Sequence, residues 1–292
     1  MRRMRCHDEM MTAMTKSQRG FTLIEAIIVI TITGIIAGMV AVFIRAPVQG
    51  YFDSARRAEL TDSADTAVRR ISRDLHLALP NSVRVTGGNQ AIEFLSTRAG
   101  GRYRAELGTG TEDILDFTQA DTSFDLLGPP IVFMAGDQIV VYNLGISGAD
   151  AYTGNTATSD NRRAYNGTVG TAVSNVKISS ANALPFASPG NRFQVVDTPV
   201  SYVCAGVGTD ANGNGTGTLT RYWNYPIQPS PPTSFAVGTS SALLAMNVSA
   251  CSFIYDPEVI TQRAGLVSAW LQITQSGESV SLYHEVHVSN VP

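Results

Sequence analysis

Hydrophobic and polar positions follow two different periods along this chain, and the change falls near residue 80. Ala26 to Ile44 is apolar apart from the mild interruptions of Thr31 and Thr33, and Arg45 closes the run. That length suits a helix crossing a ~30 Å hydrocarbon core. Pro47 and Gly50 loosen the pattern locally, a proline in a helix interior costing about 3 kcal/mol unless the chain kinks. Helical spacing then resumes at Leu60, Ala64, Ala67, Val68, Ile71, Leu75 and Leu79, while Arg56, Arg57, Glu59, Asp62, Arg69, Arg70, Arg73 and Asp74 occupy the other faces. "LALPNS" ends it, because Pro80 disfavours helix in the residue before it and Asn81 and Ser82 form turns. A single helix over 21–79 would be roughly 90 Å long at 1.5 Å per residue. Its first part, 21–45, is expected to lie in a membrane, and its amphipathic continuation, 46–80, against a folded domain.

From Val83 onward the period becomes alternating, with β-like runs "AIEFL", "ILDFT", "DQIVVYNL", "RFQVV", "PVSYVC", "GTLTRYWNY" and "VSACSFIY" separated by Gly, Pro, Asn and Ser clusters. "LVSAWLQITQ" and "ESVSLYHEVHV" flank "SG" and predict an antiparallel hairpin. "GISGADAYTGNTATSDNRRAYNGTVG" and "NYPIQPSPPTSF" predict long exposed loops, where recognition could reside. A helix followed by runs of strands predicts an α+β architecture, a long N-terminal helix packed on an antiparallel β-sheet domain spanning 81–292.

Charge adds a direction to this picture. Arg2, Arg3, Arg5, Lys16 and Arg19 precede the apolar run with only Asp8 and Glu9 against them, whereas the chain as a whole carries −3. Basic residues ahead of a span keep that side in the cytoplasm, so the part after Arg45 is expected across the inner membrane, in the periplasm. An Ala-x-Ala-like site after the apolar run, which an ordinary secretory signal would carry, is missing. The mildly acidic body gives no electrostatic reason to expect nucleic-acid binding. Of the three cysteines, Cys6 falls on the cytoplasmic side, and Cys204 and Cys251 in the exported part, where thiols usually pair. Two unrelated buried cysteines are the alternative.

Candidate chemistry changes the picture little. Asp210, Asn212, Asn214 and Gly215 fit the opening of an EF-hand loop, but the twelfth position is Arg221 where a bidentate glutamate belongs, so a plain turn is the simpler expectation. His284 and His287 stand three apart on a predicted strand and point to opposite faces. Asp74 and His76, two apart on the helix, do not face each other. Nothing argues for catalysis, a cofactor or a metal.

A carboxylate at Glu25, directly ahead of the Ala26–Ile44 run and inside the expected membrane part 21–45, needs a reason, because an ionisable group in lipid is costly. A carboxylate also favours a helix N-terminus through the macrodipole. "KSQRGFTLIE" resembles the processing site of type IV prepilins and the pseudopilins of type II secretion. The resemblance implies a leader over 1–20, or a shorter one from Met14, removed by a prepilin peptidase that cuts between Gly20 and Phe21 and methylates the Phe21 amine. It implies that Glu25 meets the amine of a neighbouring subunit in a dry fibre core, and that the partners are prepilin peptidase, other major and minor pilins and the inner membrane. "ARRAELTDSADTAVRRISRDLHLALPNSVRV" and the closing "HVSNVP" are similar to minor subunits of the mannose-sensitive haemagglutinin (MSHA) pilus system and, more distantly, to J-type pseudopilins. Two departures stand out. Val42 occupies the place where many major pilins carry proline, which here comes at Pro47. Tip-most pseudopilins typically lack the acidic residue, so Glu25 implies a neighbour above this subunit. A membrane-anchored adhesin is the rival from another class.

Overall fold

The computed structural model describes residues 20–153, 160–179, 182–257 and 264–292. One helix, α1, runs over Leu23–Leu75 with Pro47 in its interior. The strands are β1 Arg84–Thr86, β2 Ala91–Tyr103, β3 Ser123–Leu127, β4 Ile131–Val132, β5 Gln138–Val141, β6 Arg162–Ala164 and β7 Ala172–Val173. They continue with β8 Asn175–Lys177, β9 Arg192–Ala205, β10 Gly217–Trp223, β11 Ser240–Asp256, β12 Ala264–Gln275 and β13 Glu278–Ser289. The chain divides into two compact units at Ser54. In the first, every described residue but Asp53 is exposed, including Ile24, Ile30, Met39 and Phe43. A helix apolar on all sides buries that surface only in lipid or against other helices. Helical geometry persists through Pro47 and Gly50.

The second unit begins at Ala55 and pairs the rest of α1 with the sheet. Leu60, Ala64, Ala67, Val68, Ile71 and Leu75 form one buried stripe against Phe94, Tyr202, Leu219, Phe253, Leu271 and Val286. Full burial of each large side chain contributes about 1.5–3 kcal/mol, so this stripe is what holds the helix to the strands. A second cluster, around Tyr103, Phe124, Phe133, Ile139 and Phe193, fills the core further along the domain.

The helix stops at Leu75, four residues before the expected Leu79. Two tight turns end it, Leu77 N–H to Asp74 O at 3.0 Å and Ala78 N–H to Leu75 O at 3.0 Å. The chain then pairs with β2, Leu79 N–H donating to Leu95 O at 2.8 Å and Thr97 N–H to Leu77 O at 2.7 Å. Leu79 keeps its place in the core, 1% exposed, but as part of the sheet margin. Sheet hydrogen bonds thus took over residues whose apolar spacing still read as helical.

Among the described residues one sheet has the order β13-β12-β11-β10-β9-β2-β3-β8, with antiparallel pairings throughout. The "SG" hairpin forms as expected: Ser276 and Gly277 have φ of 51° and 80°, and the ladder runs from Gln275↔Glu278 to Ala264↔Ser289 with no shift. Positive φ at both turn residues is the type I′ geometry that matches strand twist. "RFQVV" and "PVSYVC" are not two strands but the single β9. Pro199 lies opposite Leu95 beside a register shift whose extra residue falls in β9 itself, and a bulge of that kind accommodates a missing donor. "ILDFT" is no strand. Leu115 N–H reaches Arg104 O, but Asp116 turns the chain by accepting from Thr118 N–H at 2.7 Å and Thr118 Oγ1 at 2.6 Å. The first predicted exposed loop is also corrected. It contains β6, and Ala149, Ala151, Tyr152, Asp160, Asn161 and Arg163 within it are buried. Asn143 explains this: its side chain accepts from Ala151 N–H at 2.8 Å and donates to Pro80 O at 2.7 Å, drawing the segment over the sheet.

Candidate functional site

Helix α1 begins one residue after Thr22, whose Oγ1 accepts from Glu25 N–H at 3.3 Å. Thr22 is therefore the N-cap and Glu25 the third helical residue, a spacing that matches the capping box, Thr-x-x-Glu. "FTLIE" thus contains a helix-start signal that the sequence shows directly and that the macrodipole alone does not describe. Gly20 has open space around it, and Phe21 is 82% exposed. The scissile pair expected from the sequence stands immediately before the first helical turn, with Glu25 in that turn on the exposed segment. Met14, Lys16, Arg19, Cys6 and the rest of 1–19 lie outside the described residues.

Cys204 on β9 and Cys251 on β11 are joined by a disulfide with Cα atoms 6.3 Å apart. Both are buried in the core beneath α1. The bridge spans β10, which lies between those strands.

Asp210 and Asn214 serve a turn. Asp210 Oδ1 accepts from Asn214 N–H at 2.7 Å and Asn212 N–H at 2.9 Å, which places its carboxyl below the usual range. Asn214 Oδ1 accepts from Ser276 N–H at 2.8 Å, and Gly213 O from Gly277 N–H at 2.9 Å. The β9–β10 turn is thereby docked on the β12–β13 turn. Gly213 has φ +72°, and a Cβ added to it would stand 2.9 Å from Gly277 N, so no larger residue fits there. Arg221, the residue standing at the twelfth loop position, is directed elsewhere, to Asp74 at 2.7 Å. Among the described residues, no group of three or more His, Cys, Asp or Glu is placed to hold a metal ion. His284 lies on the half-buried face of β13 and His287 on the exposed one.

Two buried charge networks escaped the sequence reading. On α1, Asp74 accepts from Tyr202 at 2.8 Å and pairs with Arg70 at 3.2 Å and Arg221 at 2.7 Å, tying the last helical turn to β9 and β10. Burial, and then Asp74 itself, push the Tyr202 hydroxyl well above its ordinary range. On β2, Glu93, 1% exposed, accepts from Arg84 at 2.8 Å and Tyr225 at 3.1 Å. Arg84 also donates to Pro229 O at 2.7 Å and Gln228 O at 3.0 Å, and lies 3.5 Å over the Tyr152 ring. This network clamps the proline-rich loop, in which Phe235 stacks on Tyr222 at 3.9 Å. Alternation in "AIEFL" could have placed Glu93 opposite Ile92 and Phe94. The signal for its burial was the β1–β2 register that sets Arg84 directly across from it.

The family model for the prokaryotic N-terminal methylation motif matches residues 15–41. That match, together with the apolar start of α1, supports a type IV pilin-like protein and fits membrane anchoring and pilus incorporation. The motif implies processing by prepilin peptidase and assembly with other pilins. No curated protein and no solved structure matches the chain.

Proposed function

We propose that this chain is a minor pilin, made as an inner-membrane precursor, cut between Gly20 and Phe21, methylated on Phe21, and carried into a pilus fibre by its apolar helix. The observation that carries the proposal is the first unit of the structure, a methylation-motif helix exposed on every side with its carboxylate in the first turn. The domains follow as leader 1–20, membrane and assembly helix 21–45, amphipathic continuation 46–80 and exported β domain 81–292. The leader's basic residues favour a cytoplasmic N-terminus. Within the class, the likeness of its sequence to the minor pilin-like protein O of the MSHA system favours a role in initiating or capping that fibre, over the J-type pseudopilin alternative.

Glu25 separates a local role from an assembly role. A capping box accepts glutamine as well as glutamate, whereas attraction to a neighbour's cationic amine in a dry core requires the charge. Glu25→Gln is therefore expected to leave α1 helical yet reduce recovery of the subunit in sheared fibres about as strongly as Glu25→Ala, roughly 10-fold or more. Normal fibre recovery for Glu25→Gln would assign Glu25 to capping alone. Absence of the unaltered chain from sheared fibres would instead favour the tethered-adhesin alternative.

A further inference from the structure

Strand β13 ends the sheet order, and among the described residues no strand pairs with its outer side. It has 12 residues without proline or register shift, the kind of long regular edge that natural sheets usually protect. A two-residue turn closes on a hydrogen-bonded pair, here Gln275 and Glu278, and pairs alternate from there. The N–H groups of Ser279, Ser281, Tyr283, Glu285 and His287 consequently face the free edge.

Alongside this edge lies a groove of about 590 Å3 between α1 and β13, with Val68 among its lining and Asp65, Arg69, Ser72, Arg73, His76 and His284 around it. Arg69 is paired with Asp65 at 2.6 Å. Arg73, His76 and His284 make no side-chain hydrogen bond or ion pair among the described residues, which leaves the groove with an excess of cationic and donor groups. An extended segment hydrogen-bonded to β13 would project every second side chain to the α1 side of the sheet, directly over this groove.

We infer that β13 receives, by β-augmentation, an extended segment of another polypeptide that carries carboxylates at alternate positions, which enter the groove at Arg73, His76 and His284. A second copy of this chain fits poorly. Antiparallel pairing of two β13 strands about a two-fold axis puts both α1 helices on one face and sets the two cationic grooves towards each other. The inference rests on the second unit alone and is independent of leader processing.

The test uses the full chain purified in detergent and a short fluorescent peptide alternating valine and glutamate, with a valine–lysine peptide as its counterpart. The acidic peptide is expected to bind saturably and to slow hydrogen exchange across 279–288, and the basic one to bind at least about 10-fold more weakly. Ser281→Pro removes an edge donor without breaking a β12–β13 bond, and Arg73→Glu reverses charge at the groove; each should weaken binding by about 10-fold. Unchanged slow exchange in β12 would certify that Ser281→Pro is folded. Equal binding of both peptides, or binding indifferent to Ser281→Pro and Arg73→Glu, would overturn the inference, as would self-association through β13 in cross-linking.

Discussion

Glu93 shows at the scale of a single residue how burial and pairing oppose each other. Burial raises its carboxyl above the ordinary 4.5, and the Arg84 guanidinium beside it pulls the other way without fully offsetting that rise. A carboxyl raised in the folded state contributes stability that is complete below about pH 4.5 and is lost as pH rises through its folded value. Glu93→Gln should therefore gain stability relative to the parent as pH rises from 4.5 towards neutrality, in parallel urea titrations of the full chain. A constant difference across that window would remove the assignment. The disulfide gives a second residue-scale expectation. Breaking the Cys204–Cys251 link, a sequence separation of 47, with Cys251→Ser should cost about 2–4 kcal/mol by releasing that constraint on the unfolded chain. Thermal unfolding with and without reductant checks it, since reductant should move only the parent. Here the sequence was informative through chemistry: compartment logic pointed to the two cysteines, but local pattern showed only the near partners Arg84 and Arg70, while Tyr225, Tyr202 and Arg221, which place Glu93 and Asp74 beneath other elements, are remote in the chain.

At the scale of elements, the second half of α1 was legible because one apolar stripe recurs at helical spacing, and that stripe is buried. Its end was not, since Leu79 satisfies the helical period and the sheet position equally well while only the backbone bond to Leu95 decides between them. The same limit explains β9. Asp197, Thr198 and Pro199 look like a break, yet the strand continues because a bulge in β9 absorbs the extra residue against β2 and because β10 pairs with the stretch that follows. The Asp74 network is the element-scale prediction. Asp74→Ala leaves the buried Tyr202 and the half-buried Arg221 without this acceptor and should cost about 3 kcal/mol, whereas Arg69→Ala on the exposed face should cost less than about 1 kcal/mol. Equal losses in denaturant unfolding would mean that the helix end is held by the apolar stripe alone.

For the whole molecule, two units bury surface by different means. The β domain closes its own core around strands and the amphipathic part of α1. Among the described residues, the segment from Gly20 to Ser54 leaves its apolar side chains open, so lipid or neighbouring helices must cover them. A short motif announced this division, because cleavage chemistry demands particular residues in order, whereas the strand pairings behind the domain are spread over remote positions. The proposed passage from membrane to fibre rests on one covalent event. Intact mass and N-terminal sequencing of the membrane-extracted protein, from cells with and without prepilin peptidase, test it most directly. A chain beginning at N-methylated Phe21 only when the peptidase is present is the predicted result, and a chain retaining its leader in both cells would contradict the account.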